Sequence, residues 1–368
     1  MNLKTATWLS AKPGVLAALV SAFLFGASTP LAKWLLGEMS PWMLAGLLYL
    51  GSGLGLAIYR GVRAWWAVGP TATVALKRGE LRWLMAAVIC GGGIAPVLLM
   101  LGLSNMPSSH AALLLNAEAV LTTLLAWAIF RENLGLRLAI GMTAIVAGAL
   151  VLGWPQNEVL SSSPAASLWP AMLVLLACLF WALDNNFTRK VSLNDASWIA
   201  CIKGLFAGTT NLLLAFVLGA ALPAASRVVA ALGVGFLAYG VSLALFVVAL
   251  RHLGASRAGA YFSTAPFVGA LISVLFFAEP VTRQLLVAAA LMAWGIWLHL
   301  TERHGHLHQH EVLEHEHLHS HSKGKTFDVH HAHDHLPAFE GEHSHSHQHE
   351  AIRHTHAHFP DAHHRHTH

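Results

Sequence analysis

The residues of this chain that could do chemistry lie in two different settings. Of its 26 histidines, 23 follow Leu300, in a tract built from His-x-His units. A few ionisable side chains instead stand inside long apolar runs, and Glu118, Asp184 and Lys203 are the clearest cases. Neutral imidazole is a good ligand for divalent transition metals, whereas a charged group inside a membrane span usually marks an ion or substrate path.

The histidine tract covers residues 301–368 and has no apolar periodicity. Its composition cannot bury enough surface to fold alone, so we expect a disordered tail. Alternating histidines place successive imidazoles on one side of an extended chain and predict several weak sites for Zn, Ni, Co or Cu. No cofactor is expected to be required, and a solvated, pH-responsive segment is the alternative. The predicted metal ligands are His304, His306, His308, His310, His315, His317, His319, His321, His343, His345, His347 and His349.

Glu118 stands about 15 Å along a helix from Ser108, near the middle of an apolar run. An ionisable group at the bilayer centre costs roughly 2.5 to 3.5 kcal/mol on insertion scales. We interpret Glu118 as a proton or cation site on a transport path, with Thr122 on the same helix face four residues later. The alternative is a hydrogen-bonded glutamate that holds two helices together.

A second polar cluster contains Asp184 and Thr188, which share one face near the end of the sixth apolar run. Lys203 in the seventh run lies at a similar depth. We predict a buried pair between Asp184 and Lys203, because pairing lowers the cost of burying both charges. The pair could act as a gate on the transport path or as a static tether between helices, and the sequence favours neither.

Glycine and proline interrupt several apolar runs, and such interruptions often surround a transporter's binding site. Close helix packing is the ordinary alternative. Glu132 and Glu279, which follow the ends of spans, are assigned to helix termini and not to transport. The predicted hinges are Gly92, Gly93, Pro96, Gly240 and Pro266, and the glycines of the third run are expected to face Gly240.

The elements that must position these residues are membrane spans. The chain has 368 residues, of which 55% are hydrophobic and 11% charged, which is too apolar for one water-soluble core. The alternating segments of a membrane β-barrel do not occur in the sequence. We predict an all-α membrane protein with ten transmembrane helices. They lie near 14–36, 42–59, 82–103, 108–130, 135–153, 168–188, 196–219, 229–250, 256–278 and 281–300.

Lysine and arginine are unevenly divided between the two sides of these spans. With the N-terminus inside, thirteen fall in inner segments and only Lys33, Arg227 and Arg283 in outer ones. Such an excess marks the cytoplasmic side. The +9 formal charge of the first 300 residues therefore reflects topology and does not indicate nucleic acid as a partner. We expect a bacterial-type inner or plasma membrane protein with both termini cytoplasmic.

The chain also repeats itself. A shift of 147 residues places Ser109 on Ser256 and Glu132 on Glu279 without a gap. Each half holds five spans, and an odd number of spans inverts the second copy relative to the first. The predicted organisation is a cytoplasmic segment 1–13, two inverted five-helix repeats at 14–153 and 168–300 separated by an external linker 154–167, and the tail 301–368.

The two repeat ends, Leu124 to Glu132 and Leu271 to Glu279, carry a family resemblance together with the Leu179-Phe180-Trp181-Ala182 start of the second half. On these residues the chain resembles the EamA branch of the drug/metabolite transporter superfamily over about residues 14–300. The resemblance implies ten spans, both termini inside, and export or exchange of small solutes. The two repeats depart from each other at one informative position. Pro266 of the second repeat has Ala119 as its partner in the first, and the acidic Glu118 stands next to Ala119.

Three functions remain open at this point. The first is ion- or proton-coupled export of a small metabolite, amino-acid-like or another organic solute, with a metal-binding regulatory tail. The second is transport of divalent Zn, Ni or Co, and the third is a membrane scaffold with a metal-buffering tail. An enzyme is not expected, because no nucleophile pattern, phosphate loop or HExxH occurs. The expected partners are the lipid bilayer and a small-molecule or ion substrate, and a homodimer is left open.

Overall fold

The computed structural model describes residues 3–66, 78–130, 135–154, 164–189, 196–301, 304–309, 313–321, 341–349 and 353–358. The chain divides into two compact units, Met1–Glu302 and Arg303–His368. The described part of the first unit is helical. Its helices are α1 (Leu3–Leu36), α2 (Pro41–Trp66), α3 (Arg78–Ala87), α4 (Ala95–Ser104), α5 (Ser108–Leu114), α6 (Ala117–Phe130), α7 (Leu136–Gly153), α8 (Pro164–Arg189), α9 (Ala196–Val217), α10 (Ala225–Gly235), α11 (Ser242–Phe262), α12 (Ala265–Phe276) and α13 (Arg283–Leu300).

Nine stretches of the described helices are long and apolar enough to cross a bilayer, and α12 is a shorter apolar helix. The nine are Pro13–Leu36, Pro41–Trp66, Gly79–Ser104, Ser108–Ile129, Leu136–Gly153, Leu168–Thr188, Ser197–Val217, Ala225–Ala249 and Arg283–Leu300. The membrane-spanning architecture is confirmed, with one change. The predicted span 256–278 is divided between the end of α11 and α12. The first helix also begins at Leu3, so it includes most of the predicted N-terminal segment.

Both halves of the chain interrupt their helices at equivalent places. Two π-helical segments, Val88–Ile94 and Phe236–Val241, join α3 to α4 and α10 to α11. A shift of 147 residues carries the first segment onto residues 235–241. The break between α5 and α6 around Asn116 likewise falls on Ser263, in the break between α11 and α12. The internal repeat therefore extends to local irregularities of the backbone, which often lie at functional sites.

The predicted hinge residues all lie at these irregularities. Gly92 and Gly93 belong to the first π-helical segment and Gly240 to the second. Pro266 lies in the first turn of α12, where proline costs no helical hydrogen bond, and Pro96 is the second residue of α4, directly after the first π-helical segment. Since α6 begins without a proline at the equivalent place, Pro266 is not what creates the break. The hinge role itself stays a prediction.

The glycines of the two π-helical segments do not face each other. A methyl group added to Gly92 would first meet Ala207 of α9, at 2.5 Å. One added to Gly240 would first meet the ring of Phe236 in its own segment, at 3.2 Å. The expected contact between these glycines is therefore wrong, because each segment packs against its own set of neighbouring helices.

The two repeats pack through pairs of equivalent spans: α2 packs on α9, α7 on α13, and α5, the first half of the fourth span, on α12, the second half of the ninth. Glycines permit the closest of these approaches. A methyl group on Gly204 would lie 2.7 Å from the backbone of Gly53, and one on Gly295 would lie 2.6 Å from the carbonyl oxygen of Gly141. Small residues at helix contacts allow the close packing that holds helices together in lipid.

The described residues of the tail form two antiparallel strand pairs. Strand β1 (His304–Gln309) pairs with β4 (Arg353–His358), and β2 (Leu313–His321) pairs with β3 (Gly341–His349). This differs from the disordered tail expected from composition. The His-x-His alternation has the two-residue period of a strand, which accounts for extended pairing once two such segments meet. His310 lies outside the described residues.

One carboxylate ties the two repeats together. Glu279, between α12 and α13, accepts hydrogen bonds from the backbone N–H groups of Ser108 and Ser109 at 2.7 and 2.9 Å. The hydroxyl of Ser108 donates to it at 2.6 Å. The first N–H groups of a helix lack partners within that helix, and a carboxylate satisfies them. The assignment of Glu279 to a helix terminus is confirmed, and the helix it caps, α5, belongs to the other repeat. Glu132 lies outside the described residues.

The cap predicts a pH-dependent stability. Burial would raise the pKa of Glu279, but the hydrogen bonds from Ser108 and Ser109 outweigh it and hold the pKa below the ordinary value of 4.5. The folded state thus favours the charged carboxylate. The cap therefore stabilises the folded protein fully above pH 4.5, and this stabilisation is lost as the pH falls through the lowered pKa that Glu279 has in the folded state. We expect Glu279→Gln to lower the thermal midpoint of the purified protein at pH 7 and to lower it less at pH 3. Glu38→Gln serves as control, because it removes a surface pair with Arg227 that is worth at most about 1 kcal/mol. A Glu279→Gln deficit that is constant from pH 7 to 3 would contradict the cap.

Candidate functional site

The transport residues predicted from the sequence form one connected polar site near the C-terminal end of α8. Successive residues of α8 point to different neighbours. Asp184 meets α9 and the first π-helical segment, whereas Asn185 and Asn186 bond to α6. Because adjacent positions on a helix are about 100° apart, one short stretch of α8 can contact both sides of the site.

The predicted ion pair is formed. The Nζ atom of Lys203 lies 2.6 and 2.5 Å from the two carboxylate oxygens of Asp184. The hydroxyl of Thr188 donates to the same carboxylate at 2.9 Å. The Lys203 and Asp184 side chains are only 18% and 7% exposed. Two charges so far from water are tolerated because each compensates the other and the threonine satisfies a further lone pair.

Asp184 packs directly on the first π-helical segment. A methyl group added to Gly91 would overlap the Asp184 carboxylate, so only glycine leaves room for it there. The carbonyl oxygen of Gly91 accepts hydrogen bonds from the Tyr49 hydroxyl at 2.7 Å and from the Trp181 indole N–H at 3.0 Å. The irregular backbone is thus held by side chains from α2 and α8, on the same side as the ion pair.

Glu118 lies in the first turn of α6, immediately after the break that follows α5. One of its carboxylate oxygens accepts a hydrogen bond from the amide of Asn185 at 2.8 Å. The same amide lies 3.4 Å from the hydroxyl oxygen of Thr122, and Asn186 donates to the Thr122 carbonyl at 3.3 Å. The sequence placed Glu118 within a continuous helix. The structure places it at the start of a half-helix, where the helix dipole favours negative charge.

Aromatic rings connect the first repeat to the second beside this site. The ring centroids of Tyr49 and Tyr239 are 5.7 Å apart. Tyr239 meets Phe25 of α1 at 5.8 Å, and Phe25 meets Phe262 at 5.2 Å. Phe262 ends α11, beside the second break. The broken helices of both repeats are therefore linked by one aromatic cluster, which contributes no charge to the site.

The structure brings together all five residues that were predicted to form the transport path, in two groups joined by α8. Glu118 and Thr122 meet at Asn185, and Thr188 and Lys203 meet at Asp184. Their roles in transport stay predictions.

Sequence reasoning missed Tyr49 and Trp181, because an aromatic residue in an apolar run looks like any other core or lipid-facing residue. Asn185 had a visible signal, a polar amide within a span, but received no role of its own. Within the described residues, no group of three or more His, Cys, Asp or Glu side chains is arranged to hold a metal ion.

Known proteins resemble this chain in sequence and fold. An uncharacterised transporter of Methanothermobacter thermautotrophicus is 27% identical over 294 residues, which are 77% of this chain and 85% of that protein. A probable 4-amino-4-deoxy-L-arabinose-phosphoundecaprenol flippase subunit, ArnE of Salmonella paratyphi B, is 36% identical over 87 residues, or 24% of this chain and 78% of the subunit. One solved crystal structure shares the fold, with a TM-score of 0.56 and 17% identity over 77% of this chain and 95% of that one.

The model of the EamA-like transporter family matches residues 12–154 and 168–301. These ranges contain both repeats, the ion pair of Asp184 with Lys203, and Glu118 at the broken span. The chain therefore belongs to the EamA-like transporter family.

Proposed function

We propose that this transporter moves a small organic solute bearing an amine, amino-acid-like or related to it, in exchange for protons, and that solute and proton compete for Glu118. The observation that carries the proposal is the position of Glu118, a partly buried carboxylate at the start of a half-helix inside the membrane unit. Transporters commonly place their binding sites at such discontinuous helices.

The charges of the site support an amine as cargo. Lys203 already neutralises Asp184, so Glu118 supplies the net negative charge. Asn185 provides one hydrogen bond, and a carboxylate can accept about four. The remaining capacity suits a proton or an ammonium group. One relative, the ArnE subunit, is named for a cargo that contains an amino sugar.

Competition at Glu118 predicts that its substitution uncouples transport. In Glu118→Gln the side-chain oxygen can still accept the Asn185 hydrogen bond, but the group can no longer exchange a proton. We expect the substrate-dependent proton flux of reconstituted vesicles to fall at least about a hundredfold, the lower end of what one positioned proton-transfer group contributes. The measurement uses a pH-sensitive dye inside the vesicles while amino-acid-like solutes and divalent metals are added in turn.

The matched control for that experiment is Glu38→Gln, which removes an exposed carboxylate that pairs with Arg227 and lies outside the predicted path. A wild-type proton flux in Glu118→Gln would exclude Glu118 as the coupling site. A proton flux that only Zn, Ni or Co can drive would show that the cargo is a metal ion and not an amine.

We further propose that the pair of Asp184 and Lys203 opens during the transport cycle and thus acts as a gate. Asp184→Asn alone leaves the buried ammonium of Lys203 without a counter-charge and should destabilise the protein by about 3 to 5 kcal/mol. The double variant Asp184→Asn/Lys203→Met removes both charges and should recover most of the thermal stability. A gate predicts that this folded double variant transports at an altered rate. Transport at the wild-type rate would identify the pair as a static tether.

The tail is proposed to bind divalent metal on the cytoplasmic side and to regulate transport. The strand register supports this reading, because histidine positions stand opposite one another. His306 is opposite His356 in one pair, and His317 is opposite His345 in the other. Opposed positions in an antiparallel ladder share a face, so each opposed pair of histidines supplies two of the four ligands that Zn prefers.

Metal binding by the tail predicts a pH-dependent zinc capacity of the full-length protein. Calorimetric titration should show several zinc ions bound at pH 7.5, and fewer at pH 5.5, because protonated imidazole does not bind metal. Deleting residues 301–368 should abolish this binding and make transport insensitive to zinc. Ser344→Ala/Ser346→Ala, at alternate positions of β3, is the control and should bind zinc as the wild type does. Unchanged zinc binding after deletion would contradict the assignment.

A further inference from the structure

The last ten residues of α2, 57–66, leave the packed bundle. The last buried residue of this helix is Leu56, although the helix continues to Trp66. A methyl group added to Gly55 would overlap the ring of Phe236, whereas one added to Gly61 would meet nothing within 4 Å. Every residue from Gly61 to Trp66 is exposed. The end of α2 is therefore a helix surface that no other described part of the chain covers.

The length of α2 places this end at the surface of the bilayer. The helix has 26 residues, which extend for about 39 Å, against a hydrocarbon core of about 30 Å. A helix that enters the core at Pro41 leaves it about 20 residues later, near Arg60. Arg60 donates a hydrogen bond to the hydroxyl of Ser197 in α9 at 2.6 Å, so its side chain is held by the bundle. The residues that follow Arg60 then lie among the lipid headgroups.

One face of this end, the basic face, combines a positive charge with aromatic rings. Arg63 lies four residues after Tyr59 and three before Trp66, so the three side chains share one side of the helix. Arg63 is exposed, and Tyr59 and Trp66 are 46% and 81% exposed. No Asp or Glu occurs in α2, so nothing within the helix compensates the arginine. Tyrosine and tryptophan prefer the headgroup layer, and arginine pairs with phosphate through two parallel hydrogen bonds.

The neighbouring face, the apolar face, carries no polar group. Ile58, Val62 and Trp65 follow the same spacing one position earlier and are 68%, 50% and 88% exposed. Such a surface is unfavourable in water, so another molecule is needed to cover it. An acyl chain suits the apolar face, and a phosphate attached to that chain suits the basic face beside it. The two faces together match an amphiphile whose polar group is anionic.

We infer that the end of α2 binds an anionic phospholipid, whose phosphate pairs with Arg63 on the basic face and whose acyl chain lies along the apolar face. An anionic headgroup is favoured over a zwitterionic one, because it attracts each basic residue at the membrane surface and α2 contains no carboxylate to repel it. This site lies outside the polar site at Glu118 and does not depend on the exchange proposed there.

Occupancy by a lipid bears on the polar site through α2 itself. The same helix carries Tyr49, whose hydroxyl donates to the carbonyl oxygen of Gly91 beside Asp184. It also packs along α9, which carries Lys203. A lipid that holds the end of α2 therefore restrains a helix that lies next to the ion pair.

Native mass spectrometry of the full-length protein tests the charge, with phosphatidylglycerol or phosphatidylcholine of equal chain length added. We expect the wild type to prefer phosphatidylglycerol and Arg63→Gln to reduce that preference about fivefold, the effect of one basic residue at an anionic lipid surface. Arg63→Lys keeps the charge and should retain the preference. Arg283→Gln is the matched control and should also retain it. This variant removes an exposed arginine that has no aromatic residue three or four positions away.

Fluorescence tests where the two tryptophans lie. The difference in emission between the wild type and Trp65→Phe/Trp66→Phe reports these two rings. In phosphatidylglycerol nanodiscs we expect brominated acyl chains to quench this difference by about half or more, and acrylamide in the water to leave it nearly unchanged.

Four results would overturn the inference. The first is an unchanged lipid preference in Arg63→Gln. The second is displacement of phosphatidylglycerol by soluble glycerol phosphate at equal concentration, which would identify a site for free phosphate. Quenching by acrylamide instead of the brominated lipid would place the end of α2 in water. A difference emission protected from both quenchers would show that protein covers this end, such as a second copy of the chain.

Discussion

Inside a bilayer no water is available to a backbone carbonyl, so every departure from a regular helix needs a donor from the protein itself. The first π-helical segment meets this need with side chains from three helices. Tyr49 of α2 and Trp181 of α8 donate to Gly91, and Asn211 of α9 donates to Gly92. These donors also fix the helices around the segment. The ion pair and the aromatic cluster both lie next to this one turn, because its hydrogen bonds fix the helices that carry them.

The two repeats share a backbone plan but differ in chemistry. Both have a π-helical segment and a broken span at equivalent positions. The first repeat carries Glu118 just after its break, whereas the second carries Pro266 there. Duplication thus supplied a symmetric scaffold with two interruptions, and the ionisable group was added to only one of them.

The predictions that succeeded rest on local regularities of the sequence. Hydropathy located the spans, the 147-residue shift identified the repeat, and helix periodicity placed Thr188 beside Asp184 and Lys203 within reach of it. The break after Leu114 could not be found in this way, because the apolar run continues through it without a proline. The contacts of Tyr49 and Trp181 with Gly91 depend on which helices become neighbours. In the tail, the alternation indicates extended chain, but nothing local decides that β1 pairs with β4, which follows it by more than 40 residues.

Within the described residues, the second repeat has no helix start at the positions equivalent to Ser108 and Ser109, which Glu279 caps in the first repeat. The 147-residue shift carries Ser108 and Ser109 to residues 255 and 256, which lie inside the unbroken helix α11. Backbone N–H groups within a helix are already bonded, so no free helix terminus exists there for a carboxylate to cap. The two repeats are therefore not interchangeable here. A single side chain of one repeat fixes where a helix of the other begins, and the second repeat continues as helix through the matching positions.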